Sequence, residues 1–196
     1  MDKAYPIVII SGPSGAGEDS IIEKLAEKMP LERVITTTTR AMRPGESEGH
    51  PYHFITAQDF ESKIKENKFF EYAQEYNANW YGVTFEELKR VEESRKVGVW
   101  KIEYKGVQKA KEIMPNILAI FINAPLEVLK SRIKRRDNAS DEYVAERMKY
   151  TIEWLKYRDI YDHEVENEEG KLDRAVDEVE SIIRKHLPLD KKGNIV

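Results

Sequence analysis

The chain has 196 residues, enough for one well-buried domain with an inserted lobe and too few for two large independent ones. Charged residues make up 35% and hydrophobic residues 40%, the formal net charge is −4, and cysteine is absent. Those values exclude a general nucleic-acid or membrane surface, disulfides, thiolate chemistry and cysteine-based zinc sites, and the four histidines stand at no metal-ligand spacing.

The amino terminus "MDKAYPIVII" lacks the pattern of a secretory leader, and no apolar run reaches bilayer length, so a cytoplasmic protein is expected. In chain order, "YPIVIIS" (5–11) predicts the first strand, "GPSGAGEDS" (12–20) a glycine loop, and "SIIEKLAEKM" a helix with Ile21, Ile22 and Leu25 inward. A second strand is expected at "VITTTT", followed by the Pro/Gly-rich connection "RAMRPGESEGHP". "TAQDFESKIKEN" reads as a helix capped by Thr56, "KFFEYAQEYN" as a strand, and "TFEELKRVEESRK" as a helix whose Thr84 and Glu87 form a capping box. Then follow strand "VGVWKIEY", helix "VQKAKEIM" stopped by Pro115, strand "ILAIFIN" and helix "LEVLKSRIKRR". The polar stretch "RRDNASDE" leads to a long helix through about Arg158, a short strand near "DHEVEN" and a last helix "LDRAVDEVESIIRKHL" ended by Pro188. The tail "DKKGNIV" is expected to be loose. Strands alternating with helices predict βαβ units and a largely parallel sheet.

Gly12, Pro13, Ser14, Gly15, Ala16 and Gly17 keep the spacing of a phosphate loop, whose backbone N–H groups wrap the phosphates of a nucleotide. The pattern then calls for lysine on the outer phosphates and a hydroxyl on Mg²⁺. Here Glu18 and Asp19 stand in those two places, with Ser20 next. Glu18 replaces an attraction for phosphate by a repulsion. Asp19 and Ser20 remain candidate ligands for Mg²⁺.

The stretch "TTTTRAMRPGESEGHPYHF" resembles the S-x-T-T-R-x-x-R-x-G-E-x-x-G-x-x-Y-x-F signature of guanylate kinases, with Thr36, Arg40, Arg43, Gly45, Glu46, Gly49, Tyr52 and Phe54 in place. The resemblance runs from about Tyr5 to Leu187. It implies an α/β fold of the P-loop nucleotide-hydrolase type, a parallel sheet flanked by helices. The core would span about 1–33 and 96–190, a GMP-binding lobe about 34–95 and a lid about 132–147. It also implies transfer of the ATP γ-phosphate to GMP with Mg²⁺, ATP and GMP as small-molecule partners, and a monomer or homodimer.

Two arginines three apart beside a tyrosine and a threonine hydroxyl make a donor cluster suited to a phosphate monoester. Arg40, Arg43, Tyr52 and Tyr81 are the candidates for the acceptor phosphate, with Thr36 and Glu46 beside them in the signature. The resemblance assigns the guanine edge to Glu71. The loop "YNANWYG" is one residue longer than usual, and Val83 stands where a hydroxyl residue contacts the base, so Thr84 is the candidate replacement. Arg132, Arg136 and Arg147 match phosphate-clamping arginines, and Asn167 the asparagine that contacts adenine.

In "VGVWKIEYKG" the resemblance places an acid where Lys101 stands, and Glu103 takes the place of a second acid on the GMP side. An acid and a base have exchanged places with Glu18. Parallel strands present their carboxyl ends to the ligand crevice, so Lys101 can direct its ammonium at the same phosphates, with Glu18 orienting it or helping to hold Mg²⁺. Of three readings the sequence favours a GMP kinase with a relocated lysine, ahead of a non-catalytic module that binds GMP or a phosphorylated peptide, and last a kinase for another nucleoside or sugar monophosphate, against which Glu71 and the full phosphate motif stand.

Overall fold

The computed structural model describes residues 5–74, 78–137 and 140–196, without the side chains of residues 136 and 137. A five-stranded parallel sheet has the order β2-β7-β1-β8-β9, built from β1 (Ile7–Ser11), β2 (Leu31–Arg33), β7 (Val97–Trp100), β8 (Leu118–Asn123) and β9 (His163–Glu166). Strand alternation divides the apolar side chains between two layers. Val8, Ile10, Val97, Val99, Ile120 and Ile122 join one core, and Ile7, Ile9, Trp100 and Ala119 join the other. The first core is closed by α1 (Glu18–Lys28), α5 (Leu126–Asp137) and α7 (Leu172–His186), through side chains such as Ile21, Leu25, Leu129, Val179 and Ile183. The second is closed by α3 (Phe85–Glu93) and α4 (Tyr104–Ile113), through Leu88, Val91, Val107 and Ala110. The result is an α/β fold with a parallel sheet covered on both faces.

A second sheet, order β4-β3-β6-β5, is formed by β3 (Thr36–Thr38), β4 (Tyr52–Phe54), β5 (Phe69–Gln74) and β6 (Trp80–Thr84). One face is covered by α2 (Ala57–Lys65), whose Phe60 stacks on Phe69 and Trp80. The remaining helix, α6 (Asp141–Leu155), runs into a single 3-10 turn at Arg158–Ile160.

Ile21, Ile22 and Leu25 are the buried residues of α1. Thr56 caps α2 by accepting from the Asp59 N–H at 3.1 Å. Thr84 caps α3 by accepting from the Glu87 N–H at 3.2 Å. Only that half of the capping box forms, because the Glu87 carboxylate turns to the Ile35 N–H (2.7 Å) and to Arg90.

Several expectations need correction. The strand expected at "VITTTT" shortens to Thr36–Thr38. The parallel sheet takes its next strand after α1 from β2, which the sequence did not announce, and β3 lies in the other sheet. The strand at "VGVWKIEY" stops at Trp100, because α4 already starts at Tyr104 with Glu103 as its N-cap residue. Nor is the tail loose: the Ile195 N–H donates to the Arg95 carbonyl, the Val196 N–H donates to Pro188, and Leu189 and Ile195 pack on the first core.

α1 and α7 run side by side with matched ion pairs. Lys24 meets Asp173, and four residues on in both helices Lys28 meets Asp177 at 2.5 Å and also Glu180 at 2.8 Å.

Candidate active site

The loop between β1 and α1 lies at the carboxyl end of the parallel sheet, where such sheets hold their ligands. Its glycines are dictated by space and backbone. A β-carbon on Gly12 would run into the Ile122 carbonyl oxygen, and Gly17, the N-cap of α1, sits at φ 93° with a side-chain amide pressed against it. That amide belongs to Asn167, which is buried and donates through Nδ2 to the Ala16 carbonyl at 2.7 Å. The Asn167 side chain therefore props the loop, and its Oδ1 has no hydrogen-bond partner among the described residues.

Two of the three expected arginines reach the loop. Arg147 donates to the Ser14 hydroxyl at 2.9 Å. Arg132 donates through Nη1 to the Gly15 carbonyl at 3.3 Å and through Nη2 to the Asn167 carbonyl at 3.1 Å, while Glu169 holds its Nε. The side chain of Arg136 lies outside the described residues.

Lys101, one residue past β7, turns its ammonium to the first turn of α1. It meets Asp19 Oδ2 at 2.5 Å, and Arg33, at the end of the adjacent strand β2, takes Oδ1 at 3.2 Å. Adjacent parallel strands thus end in two cations that clamp one carboxylate. The expected partner was Glu18, and this is a correction. Glu18 points into a less watery place, where burial pushes its carboxyl up to about 7 against the pull of the Lys101 ammonium. For Asp19 burial acts upward, but Lys101 and then Arg33 outweigh it, and its carboxyl is held below the usual range. Each Asp19 oxygen already accepts from one cation, so a metal there shares or competes for the carboxylate with Lys101 and Arg33. The Glu18 carboxyl and the Ser20 hydroxyl are the other oxygen donors of this turn, a set suited to hard Mg²⁺.

The signature residues form a second cluster. Arg40 donates through Nη2 to both Glu46 carboxylate oxygens, at 2.8 and 3.0 Å, and through Nη1 to the Ala41 carbonyl, and its guanidinium lies over the rings of Tyr52 and Phe54. The Glu46 hydrogen bond holds its guanidinium pKa above the ordinary arginine value. Glu46 also accepts from the Arg43 backbone N–H at 2.8 Å, which ties the connecting loop down. Tyr52 meets Tyr81 edge to face at 5.8 Å. Burial first, and then Tyr81, raise the Tyr52 hydroxyl pKa.

Strand register explains the grouping. Thr36 pairs with Tyr52, Thr38 with Phe54 and Tyr81, and Glu71 with Val83, so all seven share one sheet face. Thr36 and Glu71 are buried there. Glu103 stands opposite and accepts from the Tyr150 hydroxyl at 2.6 Å.

Thr84 does not join this group. Its hydroxyl caps α3, and the residue lines a cleft of about 610 Å³ on the reverse face with Thr37, His53 and Glu87. Odd and even positions of a strand face opposite ways, so the residue after Val83 cannot stand in for it at the same pocket. Part of the longer loop "YNANWYG" falls at 75–77, outside the described residues.

Sequence reasoning missed Arg33, Tyr150 and Ser11. The Ser11 hydroxyl donates to the Ile102 carbonyl at 2.6 Å and lies 2.9 Å from the Tyr161 hydroxyl, fixing the turn that aims Lys101. These are contacts between distant segments and leave no local pattern. The position of Arg33 at the carboxyl end of a parallel strand was the one available signal, hidden because β2 itself went unread.

Residues 4–186 match the family model described as guanylate kinase. The chain is 35% identical over 181 residues to the guanylate kinase of Rubrobacter xylanophilus, covering 91% of this chain and 93% of that one. It is 39% identical over 186 residues to the guanylate kinase of Caldanaerobacter subterraneus, covering 93% and 88%. Among solved structures it is similar to the guanylate kinase from Anaplasma phagocytophilum, with a TM-score of 0.69 at 25% identity over 94% of this chain and 88% of that one.

Proposed function

This chain belongs to the guanylate kinase family, and on that premise we propose that it transfers the γ-phosphate of ATP to GMP, giving ADP and GDP, with Lys101 supplying the cation missing at Glu18. The observation that carries the relocated lysine is the clamp on Asp19. A cation from β7 already rests on the first turn of the helix that the phosphate loop opens.

ATP phosphates in the loop receive the backbone N–H groups of residues 12–17 and offer Lys101 a stronger anion than Asp19. The GMP phosphate takes the Arg40 fork, together with Arg43, Tyr52 and Tyr81, and Glu71 accepts from the guanine edge. Glu103 and Thr36 close the same face. Arg132 and Arg147, now on the loop, are placed to meet the charge that spreads over the transferring group, which is the protein's main task in phosphoryl transfer. Bound Mg²⁺ would be held by Ser20 with Asp19 or Glu18 and would offset the charge of the outer phosphates.

The non-catalytic reading is not favoured. The relatives carry the name guanylate kinase, and a module that binds a monophosphate alone has no use for arginines on the ATP loop. A coupled assay with ATP, Mg²⁺ and GMP tests the reading: turnover well above background is expected, and its absence sinks it.

A further inference from the structure

His163 opens β9 and His186 ends α7, so they are distant in the chain and in different elements, yet their Nε2 atoms stand 3.3 Å apart. The ring centroids are 4.9 Å apart with the planes inclined at 77°. Rings meeting end to end at this nitrogen spacing would hold their centroids farther apart, so the two Nε2 directions are bent away from a straight line. The His186 Nδ1 lies 2.9 Å from the Ile182 carbonyl oxygen. A carbonyl only accepts, so Nδ1 carries the proton, and the Nε2 of the neutral ring offers its lone pair.

From this geometry we infer that His163 and His186 form a binding site for one divalent transition ion of the zinc, nickel or copper class, joining the edge strand to the end of the last helix. A Zn–N bond of about 2.0–2.1 Å at a tetrahedral angle sets two ligand nitrogens roughly 3.4 Å apart, which is the spacing these rings already hold. The Ile182 carbonyl behind His186 fixes tautomer and ring orientation, the usual support of a metal-bound histidine. Borderline-soft ions suit imidazole, whereas Mg²⁺ prefers oxygen, so this site and the nucleotide site select different metals. No group of three or more metal-ligating side chains occurs among the described residues. Water completes the coordination and the ion exchanges readily.

Calorimetric titration of the purified full chain with ZnCl₂, without nucleotide, tests this. One equivalent is expected to bind in the micromolar range. His186→Ala and His163→Gln should each weaken binding at least tenfold, while His53→Gln leaves it unchanged and phosphoryl transfer with Mg²⁺ stays as in the parent. Because His186 is exposed, its variant should melt with the parent in EDTA, and His186→Gln provides a second check on folding. Zinc binding by the double variant equal to that of the parent, or none by the parent, overturns the site.

Discussion

Truncating Lys101 to alanine separates the structural from the chemical use of its ammonium. The Lys101 and Asp19 side chains are 43% and 53% exposed, and wet ion pairs of this kind contribute about 1 kcal/mol or less to stability. For a chain of this size that is a melting shift of about 2–4 °C. The kinetic effect is expected to be far larger. A unit charge about 4 Å from a phosphate oxygen, at an effective dielectric near 20, contributes roughly 4 kcal/mol, which corresponds to about a thousandfold in kcat/KM for ATP. Coupling ADP formation to NADH oxidation reads the rate, and scanning fluorimetry reads the melting point. Calorimetric titration with GMP should be unmoved, because the Arg40 cluster does not draw on Lys101. Adding Glu18→Lys to Lys101→Ala returns the cation to its usual place in the loop and should recover at least tenfold of the loss. A fall of less than threefold in Lys101→Ala, or a fall that tracks unfolding, refutes the reasoning.

Other substitutions probe the remaining parts. Arg40→Ala should lower kcat/KM for GMP by roughly a hundredfold with the KM for ATP unchanged, and Arg40→Lys should recover little because the fork is lost; steady-state kinetics with GMP as the varied substrate decides. Gly12→Ala drives a methyl into the Ile122 carbonyl and should reduce stability by about 1–3 kcal/mol, seen as an earlier urea midpoint. Burial keeps a proton on Glu18 up to about pH 7 in the fold, whereas the unfolded chain releases it near the ordinary carboxylate value of 4.5. Stability from this group therefore declines as pH rises between those values. Glu18→Gln should raise unfolding free energy by up to about 3 kcal/mol at pH 8 and leave it near the parent's below pH 4.5; equal urea curves at pH 8 would contradict this.

The helices were legible because caps and apolar spacing are local: Thr56 and Thr84 announced α2 and α3, and Ile21, Ile22 and Leu25 marked the inner side of α1. The strands of the central sheet were legible where they are continuously apolar, as in Ile7–Ser11 and Leu118–Asn123. β2, β4 and β6 were not. Tyr52–Phe54 and Leu31–Arg33 are three residues long, and their strand character comes from partners rather than from propensity. The same limit explains Thr84, whose chemistry suited the base pocket while its register pointed it away. Asp19 as the resting partner of Lys101 joins positions 82 residues apart, and the His163–His186 pair likewise has no short-range signature, which is why the histidine spacing looked empty.

The lysine–carboxylate ladder between α1 and α7 also acts as a gauge for height. α1 begins at the phosphate loop, and α7 follows the segment that carries Asn167. Sliding one helix past the other by a turn, about 5.4 Å, would bring Lys28 level with Asp173 and leave Asp177 and Glu180 without a lysine. The rungs therefore hold the two helix starts level, and with them the spacing across which the Asn167 amide reaches the Ala16 carbonyl. Salt that weakens the rungs should loosen the loop before it melts the core, so nucleotide affinity would register ionic strength through a contact that no nucleotide touches.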